Sequence, residues 1–266
     1  MREGDRVVAA SSAPCGACPP CRAERPNLCD DLLFVNGAYG EFIALPPRLV
    51  SRNVVPLAAS LPAERAAFAE PLACALLAIE RARVEAGQTV VVFGQGPLGC
   101  LLGDARDVAR GAGRHGRQNR DGGSIGSSTW ASRAGSTRRP PATWSRTSAA
   151  SPPGAGAEVV IEATGRPEVW EQAVDAVGRG GTVVFFGGCA PGTSIRLDTR
   201  RAHYEELALL GAFHHTPGTI RRAVEALQSG ALVPDSLITH RMRLDEVGRA
   251  LDLMARGEAL KVLIEP

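Results

Sequence analysis

The sequence predicts an α/β protein built on a doubly wound parallel sheet, and three observations predict it. Residues 88–93, 158–163 and 181–187 are short, nearly continuous β-branched and aromatic runs, as in strands buried on both faces. Between the last two, residues 167–177 place Val169, Trp170, Ala173, Val174 and Val177 at helical spacing and stop before Gly178. Strand, helix and strand at this spacing form a βαβ unit, whose strands run parallel. The third observation is Gly94-Gln95-Gly96-Pro97-Leu98-Gly99, which leaves the first run directly and opens an apolar segment.

Taken in order, the elements begin with a polar N-terminus, Met1 to Arg6, without the apolar stretch of a secretory signal. Cys15, Cys18, Cys21 and Cys29 follow as C-x2-C-x2-C-x7-C, interleaved with Gly16, Pro19 and Pro20. Four thiolates this close can surround a tetrahedral soft ion, and a site filled by four protein ligands stabilises a fold without doing chemistry. A ferredoxin-type iron–sulfur run is the alternative, but its fourth cysteine comes sooner and is followed by Pro, whereas here Asp30 follows. Structural zinc is therefore the expectation.

The glycine turn has the context required of a nucleotide-binding G-x-G-x-x-G. Gly94 makes the tight turn, Gly96 lets backbone N–H groups approach a pyrophosphate, Gly99 lets helix and strand pack, and the helix opens through Pro97 and Leu98. The acidic residue that holds a ribose hydroxyl about 20 positions on has no clear counterpart. Asp121 lies 22 residues beyond Gly99, but no strand leads to it and Arg117 and Arg120 stand close by. Late in the chain, residues 219–227 and 244–254 show helical periodicity and are followed by Gly230 and Gly257.

Residues 103–156 break the pattern. This window has only Val108 and Ile125 from the Val, Ile, Leu, Met and Phe set, against nine Arg, ten Gly and eight Ser. So few apolar side chains do not offset a backbone ordering entropy of about 1–2 kcal/mol per residue. The window is expected to be aberrant or disordered, either as a long loop or as a stretch read in a shifted frame of a GC-rich gene.

Composition bounds the function. The 266 residues carry 30 basic and 28 acidic side chains, a net charge of +2, so no global field draws the chain to nucleic acid or to a membrane surface. The longest fully apolar run, residues 72–79, is far shorter than the roughly 20 needed to span a bilayer. A cytoplasmic protein is expected, with 44% hydrophobic residues for its core.

A cysteine quartet 65 residues ahead of a strand and glycine turn resembles the zinc-dependent medium-chain dehydrogenases, the alcohol and polyol dehydrogenase family. Gly4-Asp5-Arg6-Val7-Val8 is similar to a barrel strand of that family, and Glu70-Pro71-Leu72 to the motif of its sorbitol and threonine dehydrogenase branch. Val160-Ile161-Glu162-Ala163-Thr164-Gly165, Leu237-Ile238-Thr239-His240 and Leu260-Lys261-Val262 resemble its later strands. The resemblance implies a partial GroES-like β-barrel domain with a zinc lobe over residues 1–70, a Rossmann-type domain over 71–214, and a return to the catalytic domain over 215–266. It implies a zinc-assisted hydride transfer between a secondary alcohol, polyol or amino alcohol and NAD or NADP, and a homodimer or homotetramer. Glu70 would stand at the catalytic zinc, as a ligand or as partner of its water; Thr164 and Lys261 would meet the cofactor.

In the family a Cys and a Gly-His-Glu ahead of these motifs complete the catalytic zinc, and this sequence starts after them. The expectation is a chain inactive in this form, with a zinc-stabilised nucleotide-binding remnant as the non-catalytic alternative. A nucleic-acid binder using the Arg-rich window would leave the strands and Glu70-Pro71-Leu72 without a purpose. Cys74, Cys100 and Cys189 read as small buried hydrophobes. His214 and His215, if on a strand, face opposite ways and would not share an ion; a place near the nicotinamide end is expected for them.

Overall fold

The structure, a computed structural model, describes residues 1–85, 87–109 and 156–266. The described residues divide into two compact units, one drawn from residues 1–80, 96–109 and 213–266, the other from residues 81–85, 87–95 and 156–212.

The first unit starts with β1 (Val7–Ala9), which pairs antiparallel with β4 (Val54–Pro56). A second antiparallel pair, β2 (Ser12–Ala13) with β3 (Leu33–Phe34), brackets the cysteine quartet and the short helix α1 (Pro19–Arg22). Helix α2 (Pro47–Asn53) leads into β4, and α3 (Ala63–Ala66) into the long helix α4 (Ala69–Ala82). Leu72, Ala73, Ala75, Leu76, Leu77, Ala78 and Ile79 are all buried, so α4 is an interior helix rather than one with a single apolar stripe. Helix α5 (Pro97–Ala109) buries Leu101, Leu102 and Ala105. It runs into the window from residue 103 where no order was expected, because Ala105 continues the apolar face set by Leu101 and Leu102. Residues 110–155, including Asp121, Arg117 and Arg120, lie outside the described residues.

Helix α8 (Pro217–Gln228) starts from Thr216, whose hydroxyl accepts from the Thr219 N–H while Thr219 Oγ1 accepts from the Thr216 N–H. Pro217 at the first helical position completes this N-terminus. The unit closes with β9 (Ile238–Arg243), α9 (Val247–Ala255) and β10 (Lys261–Glu265), the two strands being parallel.

The second unit is the expected α/β, Rossmann-like half. Strands β5 (Val90–Phe93), β6 (Ala157–Glu162), β7 (Val177–Phe185) and β8 (Ala208–Gly211) form a parallel sheet in the order β5-β6-β7-β8. Phe93, Val160 and Val183 from the strands meet Val169 and Ala173 of α6 (Pro167–Ala176) in its core. Trp170 of α6 stacks on Phe185 at 4.0 Å and donates its indole N–H to the Gly187 carbonyl. Among the described residues β8 is an edge strand; it had no sequence expectation, since Ala-Leu-Leu-Gly has no β-branched residue.

One boundary differs from the pattern. Helix α6 stops at Ala176 without using Gly178 as its cap, and β7 begins at once with Val177. Arg201 of α7 (Thr199–Tyr204) explains this, because its guanidinium donates to the carbonyls of Val174 at 2.7 Å and Val177 at 2.9 Å. A side chain from another helix satisfies the groups that a glycine cap would otherwise have exposed.

Candidate functional site

The quartet is assembled by local geometry. Gly16, at φ +81°, turns the chain between Cys15 and Cys18, and a Cβ there would collide with the Arg52 guanidinium. All four sulfurs lie within 4.8 Å of one another. Backbone N–H groups of Ala17 and Cys18 point at Cys15 Sγ, each at 3.3 Å, and hold that thiol down at about 6. Burial pushes Cys21 up to about 12 and raises Cys29 as well. This all-sulfur, closed donor set fits a structural zinc ion held by Cys15, Cys18, Cys21 and Cys29.

The glycine turn joins β5 to α5. Gly94 has φ +113°, and an added Cβ would lie 3.2 Å from the Ala163 carbonyl and 3.3 Å from Thr164 Cγ2. The turn and Thr164 are therefore neighbours, brought together by the β5–β6 pairing. Thr164 donates both its N–H and its hydroxyl to Glu162, a carboxylate buried at the end of β6. Around Gly96 the space is open to 4 Å, so protein packing does not require a glycine there. Open backbone at Gly96 fits the approach of a phosphate. Pro97 begins α5, Leu98 is exposed and Gly99 is buried, as a helix packed at its first turn requires.

A third group forms within the first unit. Glu70 lies in the first turn of α4, and Cys74, one turn further along, donates to Glu70 Oε1 at 3.4 Å. Their donor atoms and one nitrogen of His214 lie within 4.8 Å of one another. Cys74 is therefore not merely a small hydrophobe; burial and then the Glu70 charge push its thiol up. Among the described residues, Cys100 and Cys189 join neither group.

His214 and His215 are not on a strand. β8 ends at Gly211, and His214 sits at φ +64°, in the left-handed region that a non-glycine residue occupies only under constraint. The alternation rule therefore does not separate the two rings, whose centroids are 4.0 Å apart. Ser12 Oγ hydrogen-bonds His214 Nε2, and Asn27 Nδ2 donates to the Phe213 carbonyl beside it. His215 is 2% exposed, its Nε2 lies 4.0 Å from Glu70 Oε1, and neither ring nitrogen has a hydrogen-bond partner among the described residues. Burial lowers the pKa of both rings, that of His215 to about 3, so both are neutral near pH 7. Lys261 places its ammonium 5.7 Å from the Phe68 ring centroid, where burial lowers its pKa against the opposing charge of Glu70.

Comparison with known proteins agrees with both units. The family described as alcohol dehydrogenase GroES-like domain matches residues 1–57, and zinc-binding dehydrogenase matches residues 139–229. Erythritol/L-threitol dehydrogenase of Mycolicibacterium smegmatis is 31% identical over 292 residues, covering 99% of this chain and 73% of that protein. D-altritol 5-dehydrogenase of Agrobacterium fabrum is 30% identical, covering 93% of this chain and 72% of its own length. A Sinorhizobium meliloti 1021 protein described as a zinc-binding dehydrogenase, bound to NADP, superposes with a TM-score of 0.76 at 24% identity, over 100% of this chain and 78% of that one.

Proposed function

This chain belongs to the zinc-binding alcohol and polyol dehydrogenases, and from that premise we propose that it transfers hydride between a secondary alcohol of a polyol or amino alcohol and NAD or NADP. The observation that carries the reading is Glu70, a carboxylate at the start of an interior helix that faces a buried, unpartnered imidazole. The polyol substrates named for the relatives at 30% and 31% identity support the substrate class.

On this reading residues 1–70 and 215–266 supply the catalytic domain and residues 71–214 the nucleotide-binding domain. The quartet holds a structural ion and takes no part in the chemistry. Backbone N–H groups of Gly94, Gly96, Leu98 and Gly99 would meet the cofactor phosphates, with Pro97 setting the first helical position, and Thr164 and Lys261 would be further cofactor contacts. A zinc ion at Glu70 would supply Lewis acidity toward an alcohol oxygen, and a bound NAD or NADP would supply the hydride acceptor. Glu70 would stand at that ion, as its ligand or as hydrogen-bond acceptor of its bound water. His215, neutral and without a hydrogen-bond partner among the described residues, would be available to hold a proton at Nε2.

The reading also places the protein in the cytoplasm, where reducing conditions keep the quartet available, and as a homodimer or homotetramer. Among the described residues no helix is long and apolar enough to cross a membrane.

The zinc-loaded chain, mixed with NAD or NADP and a panel of polyols, tests it by the appearance of reduced nicotinamide. Turnover that falls about 10–100-fold in Glu70→Ala supports it and sets aside the expectation of a chain inactive in this form. Nucleotide and zinc binding without turnover on any secondary alcohol would replace it with the non-catalytic nucleotide-binding alternative.

A further inference from the structure

The geometry points to a second metal site within this chain, in which Glu70, Cys74 and His214 together hold one zinc-type divalent cation. It deepens the dehydrogenase reading by saying which residues hold an ion at Glu70. The site itself is argued from its donor set.

A tetrahedral zinc with bonds of about 2.0–2.3 Å keeps its ligand atoms roughly 3.3–3.8 Å apart. Cys74 Sγ and Glu70 Oε1 are already 3.4 Å apart, and all three donors lie within 4.8 Å of one another. A set of one sulfur, one nitrogen and one oxygen suits zinc, whereas magnesium and calcium prefer oxygen alone. On binding, the Cys74 proton leaves to solvent and the thiolate becomes the ligand. The Ser12 hydroxyl fixes the His214 ring by its hydrogen bond to Nε2, as an outer partner does for a ligating imidazole. His214 also holds a left-handed backbone, φ +64°, which a non-glycine residue occupies only under constraint.

A second observation is independent of these donors. His215 is buried with both ring nitrogens unpartnered among the described residues, and its Nε2 is directed at Glu70 across 4.0 Å. Such an orphaned group marks a place where a polar ligand is to enter. Three protein donors leave the fourth tetrahedral position open, which is the arrangement of a reactive zinc site rather than a structural one.

The test is metal content and cobalt spectroscopy of the full chain, not turnover. Wild type is expected to bind two ions per chain. Cys74→Ala and His214→Ala are each expected to bind one, while Cys189→Ala still binds two. Titration of the metal-free chain with cobalt should show a tetrathiolate spectrum, then a second step with weaker thiolate-to-cobalt charge transfer that Cys74→Ala removes. If Cys74→Ala does not fold, as judged by loss of the tetrathiolate spectrum, the wild-type titration decides, and the absence of a second step overturns the site. Two ions retained in both Cys74→Ala and His214→Ala overturn it too, and leave the dehydrogenase reading to its own turnover assay.

Discussion

Glu162 closes the turn after β6 from inside the protein. Its carboxylate is fully buried and accepts from the Thr164 N–H at 2.6 Å, the Thr164 hydroxyl and the Gly165 N–H at 3.2 Å. The bonds hold the Ala163–Gly165 backbone against the glycine turn, with Gly165 at φ +70° pressed against Gly187 and Gly188. Glu162→Gln keeps the shape but turns an amide NH2 toward N–H donors, which leaves at least one of them unpaired. A loss of about 1–3 kcal/mol is expected. It should appear in urea unfolding as a lower midpoint at unchanged slope. Little of this was legible beforehand, because a carboxylate at the end of an apolar run is ordinarily solvated. Cys74 and His214 were hidden for a related reason: spacing along the chain shows neither the left-handed backbone of His214 nor the face of α4 it meets.

Among the elements, the join of α6 to β7 depends on α7. Arg201 donates to the Val174 and Val177 carbonyls and pairs with Glu205 at 3.0 Å, with its side chain one-fifth exposed. Arg201→Ala removes charge-assisted bonds from carbonyls that have no cap of their own, and about 1.5–3 kcal/mol of stability should go with them. Arg201→Lys should recover only a minor part, since one ammonium does not reproduce the guanidinium fork. Thermal unfolding of the two variants checks this, and equal stability of Lys and wild type would contradict it. By contrast, the body of α8 was legible in the helical periodicity of residues 219–227, although the helix starts two residues earlier, at Pro217 after the Thr216 cap. The same holds for β5, β6 and α6, whose periodicities are local properties of the chain.

For the molecule as a whole, the two units are stabilised differently. The parallel sheet has its own apolar cluster of Phe93, Val160, Val169, Ala173, Val177 and Val183. Between β2 and β3 the cysteine lobe buries little beyond Asn27 and Cys29, so the four sulfurs are its main tie. Removal of zinc by a chelator should therefore open the lobe to protease between Cys15 and Cys29, while the Val90–Phe93 and Ala157–Phe185 strands stay protected. Limited proteolysis followed by mass spectrometry reads both outcomes, and a lobe that stays resistant without metal would show that packing alone holds it.

The parallel strands β5, β6 and β7, the glycine turn, the cysteine quartet and the family were determined by the sequence alone, because each depends on periodicity or on spacings of a few residues. Tertiary structure decided the rest. Glu70 and His214 stand 144 residues apart, Arg201 reaches back to Val174, and Glu162 is buried rather than solvated. Only the closed fold brings such groups to one place, since which distant side chains meet depends on the packing of whole elements and not on the local geometry that the sequence encodes.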